Sequence, residues 1–493
     1  MKSILSASHK RQLSIIEHLY DEESISIKKL SNLLAVSEKT ISHDVQELNA
    51  LIDPSQISIS PILGLSLSIR PEMSIESIYS LFLFNSVEFK IIETIFLKKI
   101  KSLDSLSESL FISTSTLRRM ILTINKTLQT INFKIDLKNL DLIGNETQIC
   151  NFMIHYFDEK YRDSSIVFSK IQLQALDMLF LDFFKQEQIQ ANYPDLEKLR
   201  IWSMVILTRI KNGHRFNYSK EEHDKIPKKF INNFFAKKLF KQVFSVALTP
   251  DIFFQTFYFF LNSNYCKSFE QLQELSNKNS ETAEFIVALN LLLESVSSRL
   301  SIEVKNKDVL ILDLFNANAL YYGKSYILYD KNQANIESMT HSYSDFYQFL
   351  KEEIEHNNFI KKQNWSRDAI NSFFYMMITH WPDLAHSIER KIPVFSVAMF
   401  FNTDIEHAAM LQDRLSYFFQ HRMNFTILNS LTISDLKKTV HQHDLLLTNL
   451  FNLDIKNIRT IVLPLAIKTS HFKLIDAVYI DLVQHAELPY SNK

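Results

Sequence analysis

Glycine scarcity is the strongest constraint on this chain: Gly64, Gly144, Gly213 and Gly323 are the only four glycines in 493 residues. A phosphate-cradling loop needs several glycines close together, because only glycine lets the backbone adopt the left-handed conformations that bring N–H groups onto a phosphate. No two of these glycines lie close enough, so a P-loop and a dinucleotide-binding fingerprint are excluded. With only ten prolines, and with Leu, Ile, Phe, Lys and Glu abundant, the same scarcity predicts a mainly α chain. One hydrophobic core cannot serve a chain of this length, so a multidomain protein is expected.

Charge and cysteine usage narrow the class further. A formal net charge of −1 exerts no global pull on a polyanion, so any nucleic-acid surface must be local. Cys150 and Cys266 are the only cysteines and form no Cys-x-x-Cys pair; a reducing, cytoplasmic location is expected. The most apolar run, Phe253–Leu261, is about half the length that spans a bilayer, so a soluble protein with no membrane partner is expected. Sixteen histidines include no His-x-x-x-His with a supporting carboxylate on one helix, and His441-Gln442-His443 reads as surface polar groups. No nucleophile stands beside a base and an orienting group, and Glu352, Glu353 and Glu355 read as a solvated helix face. The sequence therefore predicts no metal, no cofactor, no catalytic residues and no enzymatic activity.

Hydrophobic spacing points instead to a helix-turn-helix. Helices are expected over 9–20 and 26–34, then over 38–52 with Ser37 as its cap. Two β-prone runs follow, Ile57–Ser60 and Leu65–Ile69, joined through Pro61 and Gly64. Three short helices and a hairpin make a winged helix-turn-helix over 1–70. In such a unit Ile41, Val45 and Leu48 are buried anchors, while Ser37, Lys39, Thr40, Ser42 and His43 face the major groove.

The order then repeats over 71–160. Helices are expected over 88–100 and 103–110, and a third is capped by Ser113. A hairpin of Phe133–Leu137 with Leu140–Ile143 is closed by Gly144-Asn145. The candidate DNA-binding residues here are Ser113, Thr114, Ser115, Thr116, Arg118, Arg119, Lys126, Lys134 and Lys138. Over 113–138 these basic groups face a single acid, Asp136, and Lys98, Lys99 and Lys101 lie just upstream. Phosphate contacts dominate affinity for duplex DNA, so this unit is the expected anchor. Residues 1–70 carry seven basic against eight acidic groups, which leaves a protein-binding role for the first unit open.

From about 160 to 390 the chain reads as amphipathic helices in two blocks, with helices ending at Gly213 and Gly323. Glycine past the last turn suits the left-handed capping conformation, and the repetition suggests a duplicated pair of all-α domains. The aromatic stretches within 230–260 (FINNFFAKKLF and FFQTFYFFL) read mainly as core, with a share left for a symmetric dimer. After Ile392 strands and helices alternate through 424–428, 444–448 and 460–463, the pattern of a small parallel α/β domain.

The string Ile143-Gly144-Asn145-Glu146 with the aromatic helix Phe152–Tyr161 resembles the Mga/AtxA group of virulence regulators from Gram-positive bacteria. Leu207–Phe216 and Asn306–Ala319 resemble that group's two all-α regulation domains (PRDs) of the phosphotransferase system (PTS). The C-terminal segment is similar to its domain related to PTS enzyme IIB. The resemblance implies PRDs over 161–280 and 281–390 and an oligomerising enzyme-IIB-like domain over 391–493. It also implies a transcription regulator that binds double-stranded promoter DNA, controls virulence, surface-protein and carbon-linked genes, and self-associates as a homodimer or higher oligomer. A PTS phosphocarrier protein would phosphorylate PRD histidines. His214 matches the first-domain position best, with helix capping as its alternative role. In the second domain Asp313–Asn318 holds no histidine, which leaves His341 and His380 as weak substitutes. The first strand of the C-terminal domain ends Phe400-Phe401-Asn402-Thr403 without the transport enzyme's cysteine, so no phosphotransfer is expected there. Two rival readings remain: a non-specific DNA-bending, nucleoid-associated protein, and an interaction scaffold whose winged helices bind protein.

Overall fold

Serine caps punctuate the N-terminal part. Ser6, Ser26 and Ser37 each accept a backbone N–H at the start of α1 (Ala7–Asp21), α2 (Ile27–Leu33) and α3 (Glu38–Leu51), satisfying donors that the first helical turn leaves unpaired. These and the following elements come from a computed structural model. It describes residues 1–98, 100, 102–187, 193–214, 234–258, 265–319, 326–357, 367–453, 455–456 and 458–486.

The antiparallel hairpin β1 (Gln56–Ser60) and β2 (Gly64–Ser68) completes the first winged unit, with Ile57 opposite Leu67 and Ile59 opposite Leu65. Gly64 has φ +86°, and a Cβ there would sit 2.3 Å from the Ile25 carbonyl oxygen. Only glycine permits that approach, and it lets Ile25 and Leu65 exchange backbone hydrogen bonds beside the turn of the hairpin.

Helix α4 (Ile75–Asn85), capped by Ser74, follows. The sequence reading has no element there, although Ile75, Ile78, Tyr79, Phe82 and Leu83 fall at helical spacing and are buried. Next come α5 (Val87–Phe96), α6 (Leu103–Ser109), α7 (Thr114–Leu128), the hairpin β3 (Phe133–Asp136) and β4 (Asp141–Gly144), and α8 (Glu146–Tyr161). One expectation is corrected. Gly144-Asn145 does not close the second hairpin; the chain reverses over 137–140, where Asp136 accepts the N–H groups of Lys138 and Asn139. Gly144 instead passes tightly over the Asn132 carbonyl, and Asn145 caps α8.

Helices α9 (Lys170–Glu187), α10 (Tyr193–Lys211), α11 (Phe234–Phe244) and α12 (Pro250–Thr256) follow. Gly213, just past α10, adopts φ +92° as a capping glycine should; Gly323 lies outside the described residues. Of the two aromatic stretches, 230–233 and 259–261 also lie outside them. Phe240, Phe253, Phe254 and Phe257 are buried in a core that runs continuously from the first winged unit.

The chain divides into two compact units, residues 1–267 with 319–330, and residues 268–318 with 331–493. In the first, the returning segment is pinned to α8. Glu159 accepts the N–H groups of Leu328 and Tyr329, and the Tyr326 hydroxyl donates to Gln148.

The second unit begins with α13 (Phe269–Lys278), α14 (Ser280–Leu300), α15 (Lys307–Ala319), α16 (Lys331–His356), α17 (Arg367–His380) and α18 (Leu384–Glu389). It then forms the expected parallel sheet from β5 (Phe395–Phe400), β6 (Met423–Ile427), β7 (Leu445–Thr448) and β8 (Arg459–Val462), in the order β6-β5-β7-β8. The connections carry α19 (Ile405–Phe418) and α20 (Ile433–Thr439), and α21 (Thr469–His485), absent from the sequence reading, closes the unit. No described helix is long and apolar enough to cross a membrane.

Candidate nucleic-acid interface

The two winged units superimpose in sequence position once the structure gives the register. Ser26, Leu30, Ala35, Ser37, Ile41, Val45, Leu48 and Asn49 recur at a constant offset as Ser102, Leu106, Phe111, Ser113, Leu117, Ile121, Ile124 and Asn125. Serines cap the second and third helices of each unit, the aliphatic helix positions (Leu30, Ile41, Val45, Leu48 and their counterparts) are buried in both, and the exposed Ala35 and Phe111 both turn the chain with positive φ. The asparagines do the same work twice. Asn49 donates to the Ile57 carbonyl (3.0 Å) and accepts the Ile57 N–H (2.6 Å). Asn125 does so to Ile135, at 2.9 and 2.7 Å. Each recognition helix thus holds the first strand of its own wing through one side-chain amide. The sequence reading passed over both residues; their identical distance from the capping serine was the available signal.

On α3, Ser37 accepts the Thr40 N–H and lies 2.8 Å from its hydroxyl, while Ser42 donates to the Glu38 carbonyl. Lys39 and His43 are exposed. Two acids of this helix are engaged by α1. Asp44 is buried in a two-bond pair with Arg11, and Glu47 accepts from Gln12. His43, Asp44 and Glu47 are the one metal-like cluster among the described residues. Arg11 already occupies the Asp44 carboxylate, so the cluster offers a cation little.

On α7, Ser113 accepts the Thr116 N–H, its hydroxyl meets those of Ser115 and Thr116, and Thr114 reaches Asp104 and Ser107. Arg118 and Arg119 stand where the first unit has Ser42 and His43. Both are exposed, as are Lys126 on the same helix and Lys134 and Lys138 on the wing. None of these five forms an ion pair with a described residue. Lys98 is different, since its ammonium lies 3.0 Å from Asp141. Lys99 and Lys101 lie outside the described residues.

Asp141, on the second wing, is the centre of a hub. Its carboxylate takes Lys98, Arg209 at 3.2 Å and His214 Nε2 at 2.9 Å. Burial pushes the Asp141 carboxyl up, but the bonds from Lys98 and His214 and the nearby positive charge outweigh it, and the net shift is down. Arg209, at the end of α10, is fully buried; it grips both oxygens of Glu146 and donates to the Leu142 carbonyl. His214 Nδ1 lies 3.7 Å from Glu146. The end of α10 is therefore bolted to β4 and to the first turn of α8.

A second buried pair lies beneath. Glu93 of α5 accepts Lys160, Tyr156 and Tyr161 from α8. Burial pushes its carboxyl up, and these partners together bring it below the usual range. In the other unit His380 Nδ1 lies 2.8 Å from Asp313. The side chain of His341 lies outside the described ones. Asn402, after β5, exchanges hydrogen bonds with Asn449.

Tandem winged helix-turn-helix units, the second bolted to a helical region behind it, define a DNA-binding regulator. Comparisons with known proteins agree in order and extent. The helix-turn-helix domain of the M protein trans-acting positive regulator (MGA) matches residues 8–61, the Mga helix-turn-helix domain 71–157, and the MGA PRD domain 175–384. A Streptococcus pneumoniae serotype 4 protein named as a trans-acting regulator is 24% identical over 94% of this chain and 95% of its own. Two Bacillus anthracis proteins match over shorter spans. The capsule synthesis positive regulator AcpA is 24% identical over 47% of each chain, and the anthrax toxin expression trans-acting positive regulator 27% identical over 43% of this chain and 44% of its own. The chain belongs to the Mga/AtxA-like family of PRD-containing transcription regulators. That family is one of regulators, not enzymes.

Proposed function

We propose that this regulator grips double-stranded promoter DNA through residues 1–160, with the second winged unit (71–160) as phosphate anchor and the first (1–70) as reader. The observation that carries this is the row of exposed cations Arg118, Arg119, Lys126, Lys134 and Lys138 on one recognition helix and its wing, none ion-paired to a described residue. Lys39 and His43 of α3, with the hydroxyls of Ser37, Thr40 and Ser42, meet base edges and sugar-phosphate, as do Ser113, Thr114, Ser115 and Thr116 in the second unit. Target genes are virulence, surface-protein or carbon-linked, in keeping with the names of the relatives. The protein works in the cytoplasm as a homodimer or higher oligomer. Residues 161–280 and 281–390 form PRDs, and 391–493 an enzyme-IIB-like oligomerisation domain.

His214 is our candidate phosphoryl acceptor for a PTS phosphocarrier. Its Nε2 is oriented by Asp141 and it sits on the hub that joins α10 to the second wing. His380, beside Asp313, and His341 are the weaker candidates. With asparagine after β5, residues 391–493 carry no phosphotransfer; stable phosphate found there after incubation with the phosphorelay would overturn this.

The deciding experiment is binding of the purified protein to a promoter-length duplex across a salt series, alongside Arg118→Ala/Arg119→Ala. Steep salt dependence, with weaker binding and a shallower slope in the variant, supports the anchor. Absence of any salt-dependent binding by the unaltered protein would replace this reading with a protein-binding scaffold.

A further inference from the structure

The two wings differ in chemistry. The second carries Lys134 and Lys138 beside Asp136, whereas residues 54–69, the whole first hairpin, hold no charged side chain. Its tip is apolar and exposed: Ile62 at 93%, Leu63 at 66% and Ile59 at 57%. Such a tip cannot bind phosphate through charge.

The tip is also rigid. The Ser60 hydroxyl accepts the N–H groups of Ile62 (3.3 Å) and Leu63 (3.2 Å), which fixes the turn. The turn end of the hairpin is tied down by the Ile25–Leu65 bridge, and its first strand is clamped to α3 at Ile57 through Asn49. Burying such a tip therefore costs little ordering entropy.

We propose that Ile62 and Leu63 form a wedge that enters the minor groove beside the site of α3 and opens a base step, bending the duplex. This rests on the DNA-binding reading above. From the Asn49 clamp at Ile57 to the tip the hairpin reaches roughly 10–15 Å. A major groove is about 12 Å wide, so a tip held at that distance from the recognition helix crosses one strand to the neighbouring minor groove. Apolar side chains inserted between base steps there unstack them and bend DNA away. Pyrimidine–purine steps open most easily, so the wedge adds preference for A·T-rich DNA with a TA step without any base hydrogen bond. The two units thereby divide the work: one supplies charge, the other deformation.

The test compares the full-length protein with Ile62→Ser/Leu63→Ser, Ile62→Phe and Arg118→Ala/Arg119→Ala. The probes are end-labelled duplexes, one A·T-rich with a central TA step and one G·C-only of the same length, read by end-to-end energy transfer and by affinity. The serine variant is expected to lose the bend and about tenfold in affinity on the TA duplex, with its salt slope unchanged. Ile62→Phe keeps the bend, and the arginine variant loses salt slope but bends what it binds. Unchanged bend and affinity in the serine variant overturn the wedge while leaving DNA binding intact. So does an unchanged bend with weaker self-association by sedimentation, which gives the tip to a second copy of this chain. Failure of the unaltered protein to bind either duplex overturns both readings together. Both positions are solvent-exposed, and matching thermal unfolding of the variants separates a lost wedge from a lost fold.

Discussion

Replacing Arg209 with Met removes the bolt between α10 and the second winged unit while keeping most of the volume. The guanidinium is fully buried and makes two bonds to Glu146, one to Asp141 and one to the Leu142 carbonyl. Breaking a buried ion pair from one side costs about 3–5 kcal/mol, mostly from the stranded charge. The lower end applies here. Asp141 keeps Lys98 and His214, and Glu146 keeps His214 nearby and the favourable end of the α8 dipole. A local cost of about 3 kcal/mol corresponds to roughly a hundredfold faster opening. A single melting temperature would blur this in a multidomain chain, so the assay is amide hydrogen exchange resolved by segment. Exchange should accelerate in β4, the start of α8 and the end of α10, with α1–α3 unchanged. Arg209→Met with Glu146→Gln should recover part of the loss, since that carboxylate is then no longer stranded charged. Uniform acceleration across both winged units, or none, would refute the hub as a local joint.

Three further outcomes follow from other contacts. Asn49→Ala and Asn125→Ala each free a backbone N–H and C=O of the first wing strand, at a cost of about 1–3 kcal/mol; exchange should quicken in the matching wing only. Glu93 and Asp141 have lowered carboxyl values, so the stability they lend is present above their ordinary values of 4.5 and 3.8 and is lost as pH falls through the lower folded ones. Acid titration of urea stability should therefore steepen below about pH 4, and Glu93→Gln should flatten that limb. Phe111 is 95% exposed at φ +55°, so Phe111→Asn should raise the thermal midpoint slightly, by up to about 1 kcal/mol in stability.

How much of this was legible in sequence depended on how local its cause is. Ser37, Ile41, Val45 and Leu48 announce a capped amphipathic helix within a dozen residues, and the wings show in β-prone runs around Gly64 and before Gly144. The parallel sheet of the second unit was equally readable, because buried strands such as Leu445–Thr448 are short apolar runs. The α4 segment carries a helical period in Ile75, Ile78, Tyr79, Phe82 and Leu83, but Leu81 and Phe84 on its other face blur the contrast. The hub was invisible for another reason. In sequence Arg209 is an ordinary cation in the last turn of a helix and Asp141 an ordinary wing acid, and only folding brings positions this far apart within hydrogen-bonding distance. Asp44 is the same case: in sequence it is one of eight acids over 1–70, and in the fold Arg11 covers it.

The placement of His214 changes what a regulatory charge has to accomplish. In many two-site proteins a signal must cross packed elements that possess two discrete arrangements. Here the histidine itself touches the wing: its Nε2 meets Asp141 at 2.9 Å, and its other nitrogen lies 3.7 Å from Glu146. A phosphoryl group on that ring would add one to two negative charges beside two carboxylates already held by one buried arginine and one lysine. Repulsion from Asp141 and Glu146 and competition for Arg209 and Lys98 act in the same direction, loosening β4 from α10. Because Lys134 pairs across the hairpin with Ile143, movement of β4 displaces the proposed phosphate anchor directly. On the proposed reading the second winged unit is both the charged grip on DNA and the element nearest His214, which leaves the first unit, whose wing carries no charge, to contribute specificity through shape.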